Sequence, residues 1–130
     1  MKPKDNLIQG RIYSNVTFDN KNYGTVAIST KQSEKDVEAY LRKEMRKIGG
    51  EASKWLCPHH RGKPDRICEF PYGLVIFAEV KSEGEKPKPR QLREFKRMRE
   101  RHQTVEILDT KQKVDAFIEK YRERDIAIFT

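Results

Sequence analysis

The chain has 130 residues, 35% of them hydrophobic, so it can bury one modest core and not two independent domains. Its formal net charge of +8 predicts a polyanionic partner, for which nucleic acid is the commonest candidate. No apolar run approaches the ~20 residues that cross a bilayer, and residues 1–5 lack the apolar segment of a secretory signal, so we expect a cytoplasmic protein with no membrane partner.

The N-terminal part of the chain has loosely alternating apolar residues. They flank the turn-forming segment Asp19-Asn20-Lys21-Asn22, which predicts a β-hairpin. We expect residues 1–32 to form a hairpin extension outside the main domain. From Ser33 the apolar spacing becomes helical, with a capping box at Ser33 and Asp36 and a stop at Gly49-Gly50. The apolar face of this helix consists of Val37, Tyr40, Leu41, Met45 and Ile48.

Strands and helices then alternate. Residues 51–57, 65–70 and 74–81 predict strands, the last two joined as a hairpin by Pro71-Tyr72-Gly73. A basic helix begins at Pro89, a strand covers residues 104–108, Thr110 caps a last helix, and residues 126–129 predict a terminal strand. This order predicts an α/β fold with a mixed central sheet flanked by helices. We expect the main domain to cover residues 33–124 and a strand or tail to cover residues 125–130.

The central hairpin brings charged residues together. If Phe70 pairs with Leu74, the antiparallel register places Asp65 opposite Glu79, and opposed residues share a face of the sheet. Because side chains alternate along a strand, Lys81 projects to the same side as Glu79. Two facing carboxylates repel each other unless a cation lies between them, and oxygen ligands suit Mg²⁺ or Mn²⁺. The alternative is a solvated Glu79–Lys81 pair with Asp65 as a loop cap, but the nearly continuous apolar run from Leu74 to Ala78 favours a central strand that ends in a functional site.

The first helix offers a further acidic group. At about 100° per residue, Glu34 and Glu38 both fall on or beside its apolar face. Either carboxylate could instead serve only the helix dipole, a role that fits Glu34 best because it lies in the first turn. Glu38 borders Leu41 and Met45, so it is the preferred third acid, with Glu34 as the alternate.

The cysteines and histidines allow another interpretation. Thiolate and imidazole are the ligands that zinc prefers, so Cys57, His59, His60 and Cys68 would form the site of a zinc-stabilised basic adaptor. Their spacing matches no paired-knuckle pattern. Two buried cysteines with a histidine pair in the loop between them explain the segment without metal.

Three motifs resemble the signatures of VRR-NUC nucleases, which belong to the PD-(D/E)xK superfamily. They are Gly62-Lys63-Pro64-Asp65-Arg66, Phe77-Ala78-Glu79-Val80-Lys81 and Pro89-Arg90-Gln91-Leu92, similar to GxPDR, (F/V)xExK and PxxQ. Glu38-Ala39-Tyr40-Leu41 and Gly49-Gly50 also match the first helix of the family, so the resemblance covers roughly residues 33–120.

The resemblance implies a restriction-endonuclease-like fold and a DNA endonuclease that uses Mg²⁺ or Mn²⁺. By motif position, Asp65 and Glu79 would bind the metal with the Val80 carbonyl, and Glu38 or Glu34 would contribute directly or through water. Lys81 would act on the nucleophile, and Gln91 would hold the lysine or the phosphate. Stand-alone members, many of them encoded by phages, resemble Holliday junction resolvases that work as dimers. A homodimer acting on branched DNA in a bacterial host would follow, with the N-terminal hairpin and residues 126–129 as candidate interface edges.

Basic residues flank both catalytic segments and predict a surface that follows the phosphate backbone. A charged helix is more often a solvated face, but this one lies directly after the catalytic strand. A non-catalytic basic module that only binds nucleic acid is the competing interpretation. The predicted DNA-binding residues are Arg61, Lys63, Arg66, Lys86, Lys88, Arg90, Arg93 and Arg97.

Overall fold

In a computed structural model, the structure describes the backbone of residues 6–8, 11–18, 21–29 and 31–129, and the side chains of residues 31–122. The chain divides into two compact units, Met1–Lys31 and Gln32–Thr130. The first unit contains the antiparallel strands β1 (Asn6–Ile8), β2 (Arg11–Phe18) and β3 (Lys21–Ser29) in the order β1-β2-β3.

The predicted N-terminal hairpin corresponds to β2 and β3. Phe18 pairs with Lys21 at the closed end, which confirms the hairpin. Of the four predicted turn residues, Asp19 and Asn20 lie outside the described residues, whereas Lys21 and Asn22 belong to β3. Strand β1 was not predicted, because its three residues are too few to establish an alternating pattern.

The second unit is built on a mixed four-stranded sheet. Its strands, in spatial order, are β4 (Glu51–Lys54), β5 (Arg66–Glu69), β6 (Val75–Val80) and β7 (Val105–Leu108). The first three strands are antiparallel to one another, and β7 is parallel to β6, as expected for the predicted α/β fold. The elements in chain order are α1 (Glu34–Lys47), β4 (Glu51–Lys54), β5 (Arg66–Glu69), one 3-10 turn (Pro71–Gly73), β6 (Val75–Val80), α2 (Pro89–Glu100), β7 (Val105–Leu108) and α3 (Lys111–Phe129).

Helix α1 begins where the sequence predicts. The Ser33 hydroxyl accepts from the Asp36 N–H, and the Asp36 carboxylate accepts from the Ser33 N–H, so both groups of the capping box are satisfied. Val37, Leu41 and Met45 are fully buried at helical spacing. They form the main core together with α3 and one face of the sheet.

Alternation along β6 separates two cores. Ile76, Ala78 and Val80 belong to the core that contains α1 and α3, whereas Phe77 packs with Phe95 and Met98 of α2. Since successive side chains of a strand point to opposite faces, α2 covers the face opposite to α1 and α3. Glu79 and Lys81, in phase with Phe77, therefore project to the α2 side.

The predicted terminal strand is wrong. Residues 126–129 continue α3, which runs to Phe129. A four-residue apolar run is compatible with either element, and no Gly or Pro separates it from the preceding helix. Each residue added to an existing helix gains one backbone hydrogen bond, so the helix continues. The proposed edge pairing through residues 126–129 is excluded with it.

A helix that crosses a bilayer needs about 20 predominantly apolar residues. Within the described part of the chain, no helix has both the length and the apolar character that a membrane span requires.

Candidate active site

The register of the central hairpin agrees with the prediction. Strand β5 pairs with β6 so that Arg66 lies opposite Ala78, which puts the preceding Asp65 opposite Glu79. The Asp65 N–H donates to Oε1 of Glu79 at 3.1 Å, and the Val80 N–H donates to Oδ1 of Asp65 at 3.0 Å. Each carboxylate is thus held by the backbone of the facing segment, and the two groups are fixed next to each other.

Lys81 and Gln91 complete this arrangement from β6 and α2. The Lys81 ammonium lies 3.3 Å from Oε2 of Glu79, and the Gln91 amide nitrogen donates to the same oxygen at 2.7 Å. The Gln91 carbonyl accepts from the Lys88 N–H at 2.9 Å, so its amide is held from both ends. Glu79 and Lys81 are only 4% and 7% exposed. The structure therefore brings together four of the predicted residues, Asp65, Glu79, Lys81 and Gln91.

Without a cation, the charged forms of Asp65 and Glu79 are both disfavoured, and the pKa of each carboxyl group is raised. The pKa of Asp65 is raised to about 6: burial is the largest cause, the charges of Glu79 and Glu34 act in the same direction, and the Val80 N–H and Arg66 oppose the shift. Burial also raises the pKa of Glu79, although Lys81 and Gln91 oppose this shift. Perturbed acids of this kind are typical of functional sites.

The acidic residues of α1 occupy different surroundings. Glu38 forms an ion pair with the guanidinium of Arg66, which is 7% exposed. Glu34 is exposed in the first turn of α1, close enough for its charge to raise the pKa of Asp65. The Glu38 carboxylate is therefore neutralised by Arg66. Glu34 is the acidic residue of α1 whose charge raises the pKa of Asp65.

Asp65 and Glu79 offer carboxylate oxygens, which are the ligands that Mg²⁺ and Mn²⁺ prefer. In residues 31–122, no hydrogen bond reaches Oδ2 of Asp65, which leaves that oxygen available as a ligand. Three or more His, Cys, Asp or Glu side chains do not converge on one point in the described residues. Mg²⁺ is usually bound by one or two carboxylates together with water and phosphate oxygens. Asp65 and Glu79 fit that requirement.

The zinc interpretation is not supported by the described residues. Cys68 is fully buried in the main core, and Cys57 lies in the loop after β4. Burial raises the pKa of the Cys68 thiol to about 12, which disfavours the thiolate that binds zinc. His60 faces Glu94, with Nδ1 at 4.0 Å from Oε2.

Glu94 is a residue whose position the sequence did not predict. Its side chain is fully buried in α2, and its two oxygens lie 2.7 Å from the Lys63 ammonium and 2.8 Å from the Arg97 guanidinium. Lys63 belongs to the loop that leads to Asp65. At Gly62 of the same loop, an added Cβ would meet the Arg90 carbonyl oxygen at 3.0 Å, and the φ angle is +95°. A close backbone approach and a buried ion pair thus join the Asp65 loop to α2.

The position of Glu94 relative to Gln91 in the sequence indicates which side of α2 it lies on. It lies three residues after Gln91, so both project from the same side of α2. From the sequence alone, however, Glu94 is only an acidic residue that offsets the charge of the many basic residues around it. Its partner Lys63 is 31 positions away in the sequence, and only the fold brings them together.

The predicted DNA-binding residues divide into two groups. Lys63 and Arg66 are largely buried and paired with Glu94 and Glu38, so they support the site from within. The others are exposed on the loop or at α2, although Arg97 also contacts Glu94. The exposed group is Arg61, Lys86, Lys88, Arg90, Arg93 and Arg97.

Comparisons with known proteins place this geometry in context. The chain is 47% identical over 77 residues to "Putative nuclease p44" of Acyrthosiphon pisum secondary endosymbiont phage 1, covering 59% of this chain and 83% of the relative. A solved structure described as a VRR_NUC domain matches with a TM-score of 0.65 and 35% identity, covering 69% of this chain and 98% of that structure. A scan against profiles of protein families gives no match.

Proposed function

Because this chain belongs to the VRR-NUC domain family and is a nuclease, we propose that it is a DNA endonuclease dependent on Mg²⁺ or Mn²⁺. The observation that carries the proposal is the pair of desolvated carboxylates, Asp65 and Glu79, joined on one face of the sheet by Lys81 and Gln91. The non-catalytic module gives no reason for such a pair, since burying two adjacent acids destabilises a protein unless a cation or a proton joins them.

Asp65 and Glu79 would hold the cation, with the Val80 carbonyl as a further ligand. When bound, the cation would lower the pKa of a water molecule and neutralise charge on the phosphate. Glu34 would contribute through water, since Glu38 is paired with Arg66. Glu38 would then act indirectly, by fixing Arg66 beside Asp65.

Lys81 and Gln91 would perform the remaining tasks. In the cleavage step a water oxygen forms a new bond to phosphorus while one phosphodiester P–O bond breaks. The Lys81 ammonium has three donors; Glu79 lies 3.3 Å and Glu85 3.9 Å from it, so a third donor would orient the water or the scissile phosphate. Gln91 would keep Glu79 in its orientation through the 2.7 Å hydrogen bond.

The finer aspects of the substrate and the assembly are part of the same proposal. Exposed basic residues at α2 support binding to the phosphate backbone, and no base-reading motif is present in the sequence, so recognition would depend on DNA shape. We propose branched DNA, such as a Holliday junction, as the substrate and a homodimer in the bacterial cytoplasm as the working form. A molar mass equal to one chain by light scattering, with and without a junction, would contradict the dimer.

The experiment that tests the function compares cleavage of labelled four-way junction, flap, duplex and single-stranded DNA in Mg²⁺ or Mn²⁺. The proteins are the wild type, Asp65→Asn and Lys81→Met, and DNA binding is measured in parallel. The proposal predicts that the wild type cuts and that both variants bind without cutting. DNA binding without cleavage by the wild type would replace it with the non-catalytic module.

A further inference from the structure

The outer face of α1 is a second basic surface that the proposed active site does not use. Lys35, Arg42, Lys43, Arg46 and Lys47 are all exposed and lie on the side opposite to Val37, Leu41 and Met45. We call Lys35, Ala39, Arg42, Lys43, Arg46 and Lys47 the α1 basic face. All of these residues except Lys35 line a concavity of about 490 Å³.

Most of the charge of the α1 basic face is not compensated by ion pairs within residues 31–122. Lys47 pairs with Glu44 at 2.9 Å. In residues 31–122, no ion pair involves Arg42, Lys43 or Arg46. Cations spaced three or four apart on a helix repel each other, which destabilises the helix unless an anion is bound. The face therefore favours an extended polyanion over a neutral partner.

The α1 basic face begins at the active-site edge of the sheet. Gln32, two residues before α1, exchanges hydrogen bonds of 2.9 Å with Glu83 in the segment that follows the catalytic strand β6. Helix α2 also begins at this edge, because Gln91 contacts Glu79. At 1.5 Å per residue, the stretch from Lys35 to Lys47 extends about 18 Å away from the site. Helices α1 and α2 therefore extend away from the site on opposite faces of the sheet.

We propose that the α1 basic face binds the phosphate backbone of a second nucleic-acid segment. This segment would run from the cleavage site along the face of the sheet opposite to α2. The inference rests on the proposed nuclease function and assigns a surface to its substrate. A straight duplex is stiff over about 150 base pairs, so one duplex cannot follow both faces without strong bending. A branch at the cleavage site supplies two segments that diverge.

The test uses the full chain with the triple substitution Arg42→Gln/Lys43→Gln/Arg46→Gln. Its matched control is Lys111→Gln/Lys120→Gln/Arg122→Gln, which removes the same charge from exposed positions of α3. Fluorescence anisotropy in EDTA measures the Kd for a four-way junction and for a linear duplex of equal length across a salt series. Thermal unfolding confirms that each protein is folded.

The proposal predicts a loss of about tenfold or more in junction affinity for the α1 variant, with less than about threefold loss on the duplex and little change in the control. The slope of log K against log salt on the junction should fall by about 0.9 for each phosphate that the variant no longer neutralises, so by at most about 3. Equal losses on junction and duplex, or equal losses in variant and control, would overturn the inference. An unchanged variant would do so too, whereas a wild type that binds no DNA would refute the proposed function itself.

Discussion

Replacing Glu94 by Gln removes the charge that joins the Asp65 loop to α2. The change keeps the size of the side chain but leaves the Lys63 ammonium, whose side chain is 13% exposed, without its counter-ion. Breaking a buried ion pair by removing one partner costs about 3–5 kcal/mol. Since Arg97 is 59% exposed and returns to water, we expect the lower value, about 3 kcal/mol. For a chain of this size that corresponds to a fall in Tm of about 10 °C.

Trp55, the only tryptophan of the chain, reports on this loop. The Lys63 ammonium lies 5.7 Å from the centroid of its ring, and the Trp55 backbone N–H donates to the Asp65 carbonyl at 2.8 Å. We expect Glu94→Gln to change the Trp55 emission and its quenching by acrylamide. We also expect kcat per folded molecule, measured well below Tm, to fall at least about tenfold, because a misplacement of 1 Å can cost about a hundredfold in rate.

The control separates positioning of Asp65 from general stability. Val114→Ala removes fully buried methyl groups in α3 and should cost about 2 kcal/mol, with no change in Trp55 emission or in kcat per folded molecule. The double variant Lys63→Met/Glu94→Leu replaces the pair by apolar residues and should recover most of the decrease in Tm. If Glu94→Gln keeps the wild-type spectrum and kcat while its Tm falls, the ion pair stabilises the fold without positioning Asp65.

Three further predictions concern the site and its loop. Without metal, the Asp65 pKa of about 6 exceeds its ordinary value of 3.8, so folded protein binds this proton more tightly than unfolded protein and stability falls as pH rises through this range. Asp65→Asn should therefore be more stable than the wild type by up to about 3 kcal/mol at pH 8 and not at pH 4, measured by urea unfolding in EDTA; an equal difference at both pH values contradicts this. At Mn²⁺ concentrations well below saturation, cleavage should rise with pH through about 6, because the proton and the cation compete for the Asp65 carboxylate; a flat profile from pH 5 to 7 under these conditions would remove Asp65 from the ligands. Gly62→Ala should lower Tm, because its φ of +95° and the Arg90 carbonyl at 3.0 Å both oppose a side chain; Gly84→Ala, also at positive φ but with no atom within 4 Å of the added Cβ, should cost less.

The catalytic hairpin could be predicted from the sequence because its geometry is local. The connection Pro71-Tyr72-Gly73 fixes which residues face each other, and this register alone brings Asp65 to Glu79. Alternation along β6 then places Lys81 on the same side. The short segment β1 and the end of α3 had no periodicity long enough to identify them.

Other parts of the site depend on contacts between distant segments. Helical spacing puts Glu34 and Glu38 on the same side of α1 but does not choose between them. The choice depends on Arg66, whose guanidinium takes Glu38 in the folded protein. In the same way, the burial of Lys63 follows from the position of Glu94 in α2. Ion pairs of this kind follow from tertiary packing, for which one sequence gives no spacing rule.

The most direct test of the central claim is the dependence of DNA cleavage on Mn²⁺ concentration in wild type, Asp65→Asn and Glu69→Gln. Glu69 is an exposed acid at the far end of β5 and serves as the matched control. We predict saturable cleavage by the wild type and by Glu69→Gln, and no cleavage in excess EDTA. Asp65→Asn should not cleave at any Mn²⁺ concentration, although it still binds DNA. Cleavage by Asp65→Asn at a rate comparable with the wild type would contradict the assignment of a catalytic cation to Asp65 and Glu79.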